Sequence, residues 1–289
     1  MAETLNSQYE NYAKLTAGRT RYLELGSGPP LIMLHGMGHA SSANSFDYVI
    51  EPLSKHFHVY SMDMLGFGLG DRSIKDGPTF SLIVDHIREF MDVKNIPKAH
   101  FVGHSAGGWM SAILAYESPD RVDKLVMLCS AGMNVAVSAG VGHIQEIPSL
   151  EQLKERAVSG MADNSKVTAE MVDQVAAAQF AALNSPGAIT SLDPLLQQME
   201  TPEIRERYLL QRRLPFIKSK TLVVWGVGDR MDPYPTWTDE YEALEGDMSK
   251  STKPWTIPNA QHVLLQTGHG PQLESVDETV ELLTNFLRD

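Results

Sequence analysis

Gly103-His104-Ser105-Ala106-Gly107-Gly108 sets one serine among small residues, directly after the apolar run His100-Phe101-Val102 and directly before a helical pattern, Ala106 to Glu117. A serine on such a strand-to-helix turn sits in a strained backbone, which only small neighbours tolerate. The strain lifts the hydroxyl beside the helix N-terminus, where unpaired N–H groups can stabilise an oxyanion. Ser105 is therefore the candidate nucleophile. A near-match, Ala136-Val137-Ser138-Ala139-Gly140, lacks the first glycine and any preceding strand, and reads as loop.

A second glycine-rich turn, His35-Gly36-Met37-Gly38, follows the apolar run Leu31 to Leu34. Gly36 and Gly38 let backbone approach a ligand closely, so the Met37 N–H can join that of Ala106 as a two-donor oxyanion hole. A dinucleotide fingerprint fits poorly, because its third glycine position is Ser41. His35 and His39 lie on a loop with no acidic third ligand nearby, so no metal site is expected.

A serine nucleophile needs a base, and the base needs an orienting acid. Asp229 follows the strand run Leu222 to Trp225 in Gly226-Val227-Gly228-Asp229-Arg230-Met231-Asp232 and would share a rim with Ser105; Asp232 is the second choice. Among ten histidines, two compete near the C-terminus. His269 stands after the run Val263 to Gln266 and before the last helix, whereas His262 precedes that run. An extended strand of that length would separate them by roughly 20 Å, which selects His269 as base. His104 adjoins the nucleophile but leaves the turn in another direction, so it is read as a packing or substrate-contacting residue.

These residues must be carried by a common rim. Short apolar runs at 19–26, 31–34, 59–62, 100–102, 125–128, 222–225 and 262–265 alternate with helical patterns at 46–56, 80–93, 106–117 and 276–287. Continuous apolar runs fit strands buried on both faces of a parallel sheet, and the β-α-β-α order predicts an α/β fold. The alternation stops at 133–218, where helix starts appear instead: a capping box at Ser149-Leu150-Glu151-Gln152, Thr168 before an alanine-rich helix, and Thr201-Pro202-Glu203. This stretch is expected to form a helical cap of about 85 residues, with 1–132 and 219–289 forming the catalytic core.

The pieces together resemble the α/β-hydrolase superfamily over residues 19–288: the His35–Gly38 loop, Asp63-Met64-Leu65-Gly66-Phe67-Gly68, the Ser105 turn, Trp225 to Asp229, and Gly268-His269-Gly270-Pro271-Gln272-Leu273-Glu274. The resemblance implies an α/β-hydrolase fold, a mostly parallel eight-stranded sheet flanked by helices, with the helical cap inserted between strands six and seven. The chain order Ser105, Asp229, His269 is the one expected for the triad of that fold. A serine nucleophile points away from the branches that use a carboxylate, the haloalkane dehalogenases and epoxide hydrolases.

Within the superfamily the chain is most similar to the meta-cleavage product hydrolases, which split carbon–carbon bonds in vinylogous diketones. It departs from them at His104, where they carry Asn, and at Val175-Ala176-Ala177-Ala178, where they carry an Arg-Trp pair that holds the substrate's carboxylate end. Arg205, Arg207, Arg212 and Arg213 fall later and read as a solvated face. Without that clamp, the residues favour a carboxylic ester or lactone of a small-to-medium hydrophobic substrate. Carbon–carbon hydrolysis, and a non-catalytic receptor on the same fold, remain alternatives. Met133, Met161, Met171 and Phe180 are candidate pocket residues, with Leu183 beside them.

Composition agrees with a globular enzyme. The 289 residues carry a net charge of −12, and residues 226–289 hold twelve Asp and Glu against four Lys and Arg. Such a balance argues against nucleic acid, which needs a clustered basic face. The single cysteine, Cys129, has no internal disulfide partner and ends an apolar run, where a buried, inert thiol is expected. There is neither an apolar leader nor an 18-residue apolar stretch, so no membrane contact and a cytoplasmic location are expected. No cofactor is called for. The oligomeric state stays open, a homodimer among the options.

Overall fold

The computed structural model describes residues 5–72, 74–75, 77–133, 142–163, 165–232 and 257–289. The near-match around Ser138 lies outside them.

Eight strands form one sheet in the order β1-β2-β4-β3-β5-β6-β7-β8. They are β1 Glu10–Leu15, β2 Gly18–Leu25, β3 Pro30–Leu34, β4 His58–Met62, β5 Ala99–His104, β6 Val122–Leu128, β7 Lys220–Gly226 and β8 Gln261–Leu265. β2 runs antiparallel to β1 and β4, and the other pairings are parallel. All seven apolar runs are strands. β1 carried no such signal: it is an edge strand on which only Ala13 and Leu15 are buried, so its remaining residues stay polar.

Two buried layers sandwich the sheet. Helices α2 (Phe80–Val93) and α3 (Ala106–Glu117) cover one face. Helix α1 (Asp47–Ser54) and the C-terminal helix Val276–Arg288 cover the other. Helix α3 is buried on nearly every side from Ala106 to Ala115, which explains its apolar composition all round.

Among the described residues between β6 and β7 lie four α-helices: α4 Leu150–Ser159, α5 Ala169–Leu183, α6 Asp193–Glu200 and α7 Pro202–Tyr208. Ser149 and Gln152 form the reciprocal capping box, and the Thr168 hydroxyl accepts from the Met171 N–H. Thr201 was expected to cap α7. Instead its hydroxyl donates back to the Gln197 carbonyl at 2.8 Å, because Thr201 also terminates α6. After β8 come a single helical turn, α8 Pro271–Glu274, and the longer α9 Val276–Arg288.

Candidate active site

Strand register brings the candidate residues to one rim. Leu34 pairs with Gly103, His104 with Leu128, Leu128 with Val224, and Gly226 with Leu265, so the segments that follow these strands emerge side by side. His262 pairs with Val223, toward the start of β8 and away from that rim.

Ser105 has φ 51° and ψ −116°, the strained turn that its neighbours predict. Its glycines are sterically required. A Cβ on Gly103 would lie 2.4 Å from the Gly107 carbonyl carbon, and one on Gly107 would lie 2.0 Å from the Leu34 oxygen. Gly36 packs so closely that a Cβ there would stand 3.3 Å from the Ser105 Cβ. The loop carrying Met37 is thereby held beside the first turn of α3, whose leading N–H groups have no intrahelical acceptor.

His269 Nδ1 donates to Asp229 Oδ2 at 2.6 Å. Asp229 Oδ1 accepts from the N–H groups of Met231 and Asp232 at 2.9 and 3.0 Å, so the carboxylate is fully engaged and its side chain wholly buried. This bond selects the tautomer that leaves Nε2 of His269 as the basic nitrogen. Asp232, the second choice of acid, contributes its backbone: its N–H serves Asp229 and its carbonyl accepts from the Trp225 indole at 2.8 Å.

His104 is an accessory to His269. Its Nε2 donates to the His269 carbonyl at 2.7 Å, and burial, reinforced by the neighbouring His269, pushes its pKa down to about 3. His35 is also held below the usual histidine range by burial; Nδ1 donates to the Gly36 carbonyl and Nε2 accepts from the Met64 N–H. That arrangement occupies both ring nitrogens structurally. Cys129 lies beneath the pair, and burial together with Asp229 raises its thiol well above the ordinary value. Ligand atoms of Cys129, Asp229 and His269 fall within 4.8 Å of one another. The protonated thiol and the Asp229–His269 bond make this group an acid–base pair over an inert cysteine.

Ser105 and His269 open onto one cavity of about 290 Å3, close to the lower end of ligand pockets, ~300–1,000 Å3. Gly36, Met37, His104, Ala106 and Met161 also line it. Gly38, Met133, Met171 and Phe180 do not. Gly38 turns the loop at φ 144°, and Met133 is buried in the main core. Met171 is only half-buried on α5, and Phe180 is on the surface, 40% exposed, because its helix turns that face to water.

The cavity also holds residues that sequence reasoning passed over or assigned to the solvated surface. Arg205 of α7 and Arg156 of α4 line it, with the polar side chains of Ser42, Tyr48 and Gln179. Arg205 is therefore no member of a solvated face: its Nε is buried, with no hydrogen-bond partner among the described residues. Nothing in its local sequence separates it from Arg207; only the packing of α7 over Trp109 does. Val175 and Ala178 line the wall as well, where the resemblance places an Arg-Trp pair.

Similar proteins agree with this architecture. The chain is 28% identical to a 2-hydroxymuconate semialdehyde hydrolase of Pseudomonas sp. (strain CF600), over 94% of this chain and 91% of that one. It is 29% identical to a 2-hydroxy-6-oxononadienedioate/2-hydroxy-6-oxononatrienedioate hydrolase of Comamonas testosteroni, over 96% and 94%. Among solved structures, a meta-cleavage product hydrolase from Pseudomonas fluorescens IP01 superposes with a TM-score of 0.74 at 26% identity, covering 96% of this chain and 97% of that one. An enol-lactonase from Burkholderia xenovorans LB400, 18% identical with TM-score 0.67 over 96% and 100%, shares the fold. Residues 29–276 match the alpha/beta hydrolase fold family, and with this sheet and these relatives the chain is a hydrolase that belongs to it.

Proposed function

We propose that this protein is a cofactor-independent serine hydrolase that cleaves the carbon–carbon bond beside a ketone in a small, partly apolar, anionic dienol diketone. The observation that carries the hydrolytic chemistry is the 2.6 Å Asp229–His269 bond beside the cavity that Ser105 enters. The substrate class rests on the named relatives and on the two arginines lining that cavity.

In this reading His269 first shuttles the proton that converts dienol to ketone. Ser105 then attacks the carbonyl as His269 takes its proton, with Asp229 holding the tautomer. The N–H groups of Met37 and Ala106 receive the oxyanion, each donor being worth on the order of 3 kcal/mol. The carbon leaving group is protonated by His269, and water hydrolyses the acyl-enzyme. The helices between β6 and β7 act as a cap that shields the step from bulk water.

A carboxylic ester or lactone is the second reading. It is favoured by one observation: Val175 and Ala178 leave that wall of the cavity apolar.

A panel of dienol diketones, nitrophenyl esters and lactones separates these readings. Rapid loss of dienol absorbance with sluggish esterolysis is the expected outcome; the reverse transfers the assignment to esters. Ser105→Ala and His269→Ala should each lower turnover by about 10⁴-fold or more, while His262→Ala should change it little. Binding of these compounds without turnover by the parent enzyme would favour a receptor instead.

A further inference from the structure

The backbone around His269 is held by an unusual set of partners, and most of them meet at one side chain. Glu274, the last residue of α8, is 3% exposed. Its Oε2 accepts from the Gly268 N–H at 2.8 Å and from the Ala162 N–H at 2.8 Å, and its Oε1 accepts from the Gly270 N–H at 3.1 Å. Among the described residues it has no cationic partner; three peptide dipoles satisfy the carboxylate instead. Gly268 and Gly270 flank the base directly. Ala162 belongs to the chain leaving α4, in the inserted helices.

A second contact reinforces the same junction. The His269 N–H donates to the Gly160 carbonyl at 3.2 Å, just beyond α4. A Cβ on Gly268 would stand 2.3 Å from that Gly160 oxygen, so only glycine permits the approach. Through Glu274 and Gly160 the loop that aims the base is fastened to the end of α4.

We propose that Glu274 is a positioning residue: its carboxylate locks the His269 loop to the inserted helices, so that the base takes its working orientation only with α4 docked. The inference rests on the serine-hydrolase reading for its kinetic consequences, but its geometric content is independent of substrate. The physical requirement is two acceptor oxygens facing three N–H donors. A glutamine at this position offers one acceptor and turns an NH2 toward at least one of those donors, leaving a buried N–H unmet.

The test compares the parent protein with Glu274→Gln and Glu274→Asp by two readouts. One is the rate at which a fluorophosphonate labels Ser105. The other is the downfield proton resonance of the His269–Asp229 hydrogen bond. For folded Glu274→Gln, labelling should slow about 10–100-fold, and the resonance should broaden or shift upfield. Glu274→Asp keeps both acceptor oxygens but shortens the reach. It should slow labelling and perturb the resonance too, which keeps the test available if the glutamine variant does not fold. A folded Glu274→Gln protein with the parent's rate and resonance would overturn the proposal. If parent and Ser105→Ala label alike, the hydrolase reading fails, and the resonance alone decides the role of Glu274.

Discussion

The two halves of the insertion between β6 and β7 are built on different principles. From α6 onward, Leu192, Leu195, Leu196, Met199, Leu209 and Leu210 belong to the same buried cluster as the sheet and helices α2 and α3. Helices α4 and α5 instead centre on a separate small cluster, Leu153, Ala176 and Leu183, against which Ile144 and only Ala40 of the core pack. The first half-pair is held to the rest by polar grips on its backbone: Glu274 and the His269 N–H at the end of α4, and Arg72 at the end of α5. The Arg72 guanidinium donates to the carbonyls of His39 and Gly68 in the core and to those of Ala182 and Ala188 in the insertion. An apolar seam of that size is held by apolar surface withdrawn from water over a wide area, whereas a few hydrogen bonds, each worth about 1 kcal/mol net, can release together. The cavity lies beneath both halves, so one wall is part of the core and the other is gripped by charge.

Acid should strike the core side hardest. Burial pushes His86 down to about 4 and His104 down to about 3 from an ordinary value near 6.5. The unfolded chain binds protons below pH 6.5 that the folded one refuses, so stability is complete above that pH and is lost as pH falls toward 4. Asp47 opposes this: burial raises it to about 7, so the folded state keeps a proton between roughly pH 4 and 7 that the unfolded chain has lost. Melting temperature measured from pH 7.5 to 4.5 should drop, and drop more steeply in Asp47→Asn. A flat profile in that variant would contradict the assignment.

Leu195→Ala and Leu153→Ala test the two halves directly. Leu195 is fully buried in the main core, and its truncation should cost about 2–5 kcal/mol in one global unfolding transition. Leu153 is buried in the small cluster. Its truncation should speed proteolysis and amide exchange in α4 and α5 while leaving the global transition nearly unmoved. Equal global losses from both would erase the distinction.

Arg205 sits on the anchored half and Arg156 on the gripped one. Arg205→Met should raise KM for anionic substrates by about tenfold and leave neutral esters within threefold, with Arg156→Met giving the weaker effect because Arg156 is exposed. A uniform effect on charged and neutral substrates would remove Arg205 from substrate recognition. The smallest change expected is from Thr168→Ala, which removes the Met171 N–H acceptor at the start of α5 and should cost about 1 kcal/mol, read as faster exchange in that helix.

Much of this molecule was legible in its residues because the signals were local. Seven apolar runs named seven strands, small residues around Ser105 announced a strained turn, and the Ser149 and Thr168 caps opened their helices as expected. β1 escaped because an edge strand has no need of an apolar run. Glu274 stood within the recognised His269 segment, five residues after that histidine, yet its partners Ala162 and Gly268 are far apart in the chain. Phe180 and Met171 illustrate the opposite error, since hydrophobicity on an inserted helix does not say which face meets the cavity.

The amino-acid order by itself determined the fold class, the alternation of strands and helices, and the placing of Ser105, Asp229 and His269 after strand ends, since those follow from period, turn chemistry and reach along the chain. Tertiary structure decided which arginine enters the cavity, which half of the insertion joins the core, and that one buried carboxylate ties the histidine loop to α4. These last are contacts between segments far apart in the chain, 112 residues in the case of Ala162 and Glu274. Only the packing of whole helices against the sheet brings such groups within hydrogen-bonding distance.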